Sequence, residues 1–110
     1  VAAQALARGM RPVGDAVRGA PWGSFVQGFA VPTRRGRCYL VGAAGNESLP
    51  ALDLWLSGPD GAMLASDTNE RERAVVYHCA ARDAVLTANV RAHAGRGEYV
   101  VMRFEGEVAP

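Results

Sequence analysis

The chain is predicted to be all-β: an antiparallel β-sandwich or jelly roll of about seven or eight strands, preceded by a short helical or extended N-terminal segment. Three observations carry that expectation. From Trp22 onward apolar residues alternate with period two in most of the chain, as half-buried strands require. Clusters of Gly, Pro, Asp and Asn separate these runs at short intervals. Near the middle lies a hairpin signature, LDLWLSGPDGAMLASD over residues 52–67.

With 110 residues, 49% of them hydrophobic, one domain is expected, able to bury roughly two-thirds of its unfolded surface. Its boundary is placed at residue 15, leaving residues 1–14 as the N-terminal segment. In AQALARGMRPVGDAVRG, Leu6, Met10, Val13 and Val17 have helical spacing, but Gly9, Pro12 and Gly14 disfavour a continuous helix. A helical turn before Pro12 and an extended segment after it are expected. Then Phe25, Gln27, Phe29 and Val31 alternate with Ser24, Val26, Gly28 and Ala30 until Pro32 ends an edge or early strand.

After the polar turn TRRGR, the run RCYLVGAA places Cys38, Leu40 and Gly42 on one face and Tyr39, Val41 and Ala43 on the other. In LDLWL the leucines Leu52, Leu54 and Leu56 form the core face, and Asp53 and Trp55 point away. Pro59 and Asp60 occupy the two central positions of a type I turn, so AMLAS returns antiparallel. The polar stretch DTNERER is read as a solvated loop before the strands AVVYHC, AVLTANVRAH and EYVVMRFEG.

The formal net charge is +1, divided as +5 over residues 1–40 and −4 over residues 41–110. That asymmetry suits orientation against a neighbour. A nucleic-acid footprint needs basic residues clustered on one face together with aromatics or a motif, and neither is evident, so no nucleic-acid partner is expected. All twelve basic residues are arginine, and lysine and isoleucine are absent, a pattern of GC-rich coding with no mechanism in it. No apolar run approaches the eighteen or so residues of a membrane span, so no transmembrane segment is expected. Val1 is read as the start of a fragment, because VAAQA lacks the basic start and apolar stretch of a signal peptide.

Cys38 and Cys79 lie in separate strand-like runs. They are expected to pair as a structural staple, closing a loop whose restriction is worth about 4 kcal/mol in the chain-entropy account, in an extracytoplasmic compartment. The alternatives are two buried thiols, or a zinc site with His78 and His93. Zinc is disfavoured because adjacent His78 and Cys79 point to opposite faces of a strand.

Taken in order, GRCYLVGAA, LDLWLSGPDGAMLASD, VVYHC and GRGEYVVMRF resemble the bacterial pre-peptidase C-terminal domain family in its disulfide-bearing form. The matching positions are Gly36 and Tyr39, then Asp53, Leu54 and Leu56, then Pro59, Asp60 and Gly61, and last Gly95, Gly97 and Tyr99, over roughly residues 15–106. The chain departs from the pattern at Asp83, Ala84 and Val85, where the family usually has a Gly-x-Tyr. The resemblance implies a secreted, jelly-roll-like accessory domain attached to proteases or other exported proteins. It also implies roles in secretion, stability or attachment to polymers, sometimes with calcium.

No catalytic function is expected. Ser24, Ser48, Ser57 and Ser66 lack a nucleophile elbow, and Gly95-Arg96-Gly97 precedes a strand instead of a helix. Calcium is the one cofactor the residues leave open: Asp67, Asn69 and Glu70, with Asp53 or Asp60, supply the hard oxygens it takes, although a solvated loop is the plainer reading. Trp55, Trp22 and Tyr77 are candidates for an aromatic platform that takes a sugar ring or a partner protein. Arg34, Arg35 and Arg37 form a basic turn that would dock an acidic polymer or a neighbouring domain. The expected protein is thus a non-catalytic accessory module of a secreted or cell-envelope bacterial protein, in the periplasm, at the outer surface or outside the cell. It would bind a polysaccharide or matrix protein, or serve assembly with its own parent chain, an envelope protein or a second copy. A small hydrolase is the weaker alternative. An exposed aromatic patch would favour polymer binding, and an apolar patch including the N-terminal segment would favour assembly.

Overall fold

A computed structural model describes residues 9–19, 26–45, 51–94 and 98–107, side chains at 69, 70, 93 and 94 aside. It contains nine strands: β1 (Arg11–Pro12), β2 (Val17–Gly19), β3 (Val26–Thr33), β4 (Arg37–Gly45), β5 (Ala51–Ser57), β6 (Met63–Arg71), β7 (Arg73–Cys79), β8 (Ala84–Ala94) and β9 (Tyr99–Glu107). No helix occurs among the described residues. The pairings are nested and antiparallel: β5 with β6, β4 with β7, β3 with β8, β2 with β9. The result is a jelly roll of two sheets, β1 and β2 on β9, then β4 and β7, against β3-β8-β5-β6.

The innermost hairpin forms as its turn chemistry dictates. Gly61 N–H donates to the Gly58 carbonyl at 2.9 Å across Pro59 and Asp60, and Gly61 follows at φ 83°, a left-handed conformation open to glycine. Leu52, Leu54 and Leu56 then meet Val31, Leu86, Ala88 and Val90 from their own sheet and Val41, Ala43, Val76 and Val101 from the other. Period-two alternation in both sheets aims these residues into one core. Tyr99 closes one end: its hydroxyl donates to the Gln27 side chain, and its ring meets Phe29 edge-on at 6.1 Å. Burial pushes the Tyr99 phenol up to about 12.

Three expectations need correction. Met10 is buried and Arg11–Pro12 pairs with β9, so the sandwich takes in residues assigned to the N-terminal segment before residue 15. The helical turn expected before Pro12 falls mostly outside the described residues. DTNERER is no loop: β6 runs through Arg71, and only Glu72 separates it from β7 in the other sheet. Its backbone is needed to carry the chain around the edge of the sandwich, and polar side chains are compatible with an edge strand. Finally, β3 passes through Pro32 to Thr33, because an edge strand has no second neighbour to miss the absent N–H.

Two charged side chains close the sandwich at its sides. The Asp67 carboxylate on edge strand β6 accepts the Val75 N–H of edge strand β7 at 2.9 Å. Arg103 of β9 donates to the Ala30 carbonyl of edge strand β3 at 3.0 Å. Each contact occupies a backbone group that an open edge would otherwise offer to another chain.

Candidate functional site

The outward residues of the β3-β8-β5-β6 sheet make a face of mixed chemistry, partly buried along β5 and β8. Alternation puts Asp53, Trp55 and Ser57 there from β5, and the register sets them directly opposite Arg91, Asn89 and Thr87 of β8. Asp53 is fully buried although it points away from the core. Arg91 lies over it, with Nη2 and Nε donating to Asp53 Oδ2 at 2.8 and 3.3 Å. A carboxylate removed from water needs such a partner, since an uncompensated buried charge costs several kcal/mol. The same guanidinium stands 5.6 Å from the Trp55 ring centroid, so one arginine neutralises the acid and supports the indole.

Asn89 organises the adjoining row. Its Nδ2 donates to the Ser57 hydroxyl at 3.0 Å and to the carbonyls of Trp55 and Thr87, each at 3.2 Å. Next to it on β3 is Gly28, where a Cβ would lie 3.0 Å from the Thr87 methyl. The missing side chain keeps the surface beside Trp55 low. Val26 and Val85 are exposed on the same face, on strands β3 and β8.

The outward face of the other sheet is different. Cys38 and Cys79 are directly opposed on β4 and β7 and joined in a disulfide. With both sulfurs bonded to each other, the thiol and zinc readings fall. His78 and Cys79 do face opposite ways. Around the cross-link, Leu40 and Phe104 pack with Met10, with Val75 and Met102 at the margin. Met10 is the lid of this second cluster, and Gly106 lets it sit close: a Cβ there would come within 2.9 Å of Met10 Cγ. Tyr77 is 42% exposed beside the cross-link, and its hydroxyl donates to Cys79 Sγ at 3.3 Å.

The sequence-predicted sites are therefore divided. Trp55 and Tyr77 lie on opposite outer faces, so they share no platform, and Trp22 lies outside the described residues. The basic turn is partly spent within the domain. Arg34 pairs with Glu105 at 2.8 Å, and Arg37 reaches Glu105 and Glu107, each at 3.6 Å. Burial opposes ionisation of Glu105, but the hydrogen bond and charge of Arg34, the Tyr39 hydroxyl and Arg37 outweigh it, leaving the carboxyl below its ordinary value. Arg35 contributes its backbone N–H to Asp83 at 2.8 Å.

The calcium candidates are not assembled. Asp53 is under Arg91 on the outer face, Asp60 accepts the Ala62 N–H in the hairpin turn, and Asp67 is engaged at the β6–β7 edge. Side chains of Asn69 and Glu70 are outside the described residues. Among the described residues no group of three or more His, Cys, Asp or Glu is placed to hold a metal ion. Ser57 belongs to the Asn89 network, Ser66 lies opposite Trp55 on β6, and Ser24 and Ser48 are outside the described residues.

Arg91 is the residue that sequence reasoning missed. Its alternation out of the core was visible, but the β5–β8 register that sets it over Asp53 joins residues 38 positions apart. No protein-family model and no curated protein matches the chain.

Proposed function

We propose that this domain is a non-catalytic accessory module of a larger extracytoplasmic protein, and that it holds a polymer on the outward face of the β3-β8-β5-β6 sheet. The observation that carries the reading is the Trp55 indole, braced by Arg91 and set in a row of amide and hydroxyl groups from Asn89, Ser57 and Thr87. An aromatic ring beside neutral polar groups suits a sugar ring, which has an apolar face and a rim of hydroxyls. Salt bridging between Asp53 and Arg91 leaves little net charge at the centre of the face, which favours a neutral polymer over an acidic one. The disulfide fits an oxidising compartment. Secretion and attachment to a parent chain are what the resemblance to pre-peptidase C-terminal domains adds.

Assembly is the second reading, supported by the apolar cluster under Met10 on the opposite face. That cluster is already covered by Met10, whereas Trp55 and the groups around it stay partly exposed, and polymer binding is therefore placed first. The deciding experiment is retention of the domain on insoluble chitin, cellulose, collagen and peptidoglycan, each with calcium and with chelator. Selective retention abolished by Trp55→Ala is expected. Retention on none of them, or retention indifferent to Trp55→Ala, would defeat the polymer reading and leave assembly.

A further inference from the structure

A concavity lies at one end of the sandwich, where the β5–β6 and β7–β8 turns face each other. It encloses about 190 Å³. The inward position on β7 passes from Val76 in the core to His78, and the small residues that follow do not fill the gap between the sheets. Pro59, Leu64, Ala84 and Leu86 supply apolar wall, and His78 and Arg82 supply polar groups. Thr33, also in the lining, spends its hydroxyl on the Ala84 carbonyl at 2.9 Å.

The charged groups at this end are unevenly committed. Asp60 Oδ1 accepts the Ala62 N–H at 3.1 Å, Asp83 Oδ1 accepts the Arg35 N–H, Glu105 is held by Arg34 and Arg37, and Glu107 by Arg37. By contrast, among the described residues neither the Arg82 guanidinium nor the Arg35 guanidinium has an ion pair. Asp60 and Asp83 accept backbone N–H groups and keep their charge, while Glu105 and Glu107 are ion-paired. Arg82, in the cavity lining and without an ion pair among the described residues, suits the anionic head of a ligand whose body meets the apolar wall.

We infer that this cavity takes a compact aliphatic group bearing a free carboxylate, with the carboxylate on Arg82 and a ring nitrogen of His78 as second donor. The guanidinium fork matches the two carboxylate oxygens. The volume has room for roughly six to eight non-hydrogen atoms, taking the space of a water molecule as the unit. Two sources present this chemistry, a free small acid and the C-terminal residue of a polypeptide.

The test is a titration of the isotope-labelled domain, followed by backbone amide resonances, with isovalerate, acetyl-alanylvaline and the C-terminal amide of the same dipeptide. Both acids, or the dipeptide acid alone, should shift Gly61, Ala62, Ala81 and Arg82, and the amide should not. Binding of both acids identifies a general carboxylate site, and binding of the dipeptide acid alone identifies a polypeptide terminus. Arg82→Gln, at an exposed turn position, should weaken binding about tenfold with no change in melting midpoint. Equal binding of the amide, absence of shifts at these turns with either acid, or an unchanged affinity in Arg82→Gln would overturn the assignment. Trp55→Ala should leave this titration unaltered, which separates its outcome from that of polymer retention.

Discussion

The two outward faces of the sandwich follow the same alternation and reach opposite outcomes. On the sheet built around β4, the residues that point away from the core are themselves apolar: Leu40, Phe104, Met102 and Val75, with the disulfide among them. Such a face must be covered, and Met10 covers it. On the sheet built around β8 and β5, the outward residues include Asp53, Ser57, Thr87, Asn89 and Arg91, with Val26 and Val85 exposed beside them and Trp55 the one large aromatic among the described residues. The polar groups satisfy one another, with Asp53 buried under Arg91 and the rest partly exposed. One sheet thus spends both faces on apolar packing, and the other turns one face of mostly polar groups outward.

Reducing the Cys38–Cys79 bond should strike the stabilising sheet hardest. The cross-link spans 41 residues of sequence, and its loss should remove about 4 kcal/mol, read as a large fall in melting midpoint with reductant. A midpoint that does not move would break the assignment of that sheet as the structural one. Next in size is a paired truncation across the two faces. Phe104→Ala, in the cluster under Met10, should cost about 3 kcal/mol, while Trp55→Ala should cost about 1 kcal/mol and act on retention instead. Equal losses in denaturant melts would erase the distinction.

The smallest effect is alkaline and comes from the core that the faces share. Tyr99 is held neutral by burial, with its phenol raised from 10.0 to about 12. A raised value means that the stabilisation is fully present below about pH 10 and is lost as pH climbs toward about 12. The loss should be on the order of 1 kcal/mol by about pH 10.5, and Tyr99→Phe should remove that dependence. Melts recorded across this range check the sign; a midpoint that rises with pH in the unsubstituted protein would contradict it.

Much of the fold was legible because strand periodicity and turn chemistry are local. The leucine face of β5, the division of β4 into two faces, and the turn at Pro59 and Asp60 all follow from neighbours in sequence. The strand nature of DTNERER was not legible, because its polarity suits both a loop and an edge strand, and only pairing with β5 decides between them. The place of Met10 was hidden for a related reason. Helical spacing and strand breakers around it said nothing of the distant Phe104 and Leu40 against which it packs.

For the site, residue identity nominated Trp55 and Asp53 correctly as outward-pointing, since that depends on parity alone. What they do there depends on register. Asp53 was a plausible calcium ligand until Arg91, from a strand paired across the sheet, took its carboxylate. Trp55 and Tyr77 were a plausible platform until the crossing from β6 to β7 put them in different sheets. Composition, periodicity and turn residues determined by themselves that the chain is a β-sandwich with a leucine-lined core and a central hairpin. Tertiary structure alone decided which outward residues meet and which face is covered, because contacts between strands far apart in sequence are fixed by how the sheets close, and no local pattern encodes that closure.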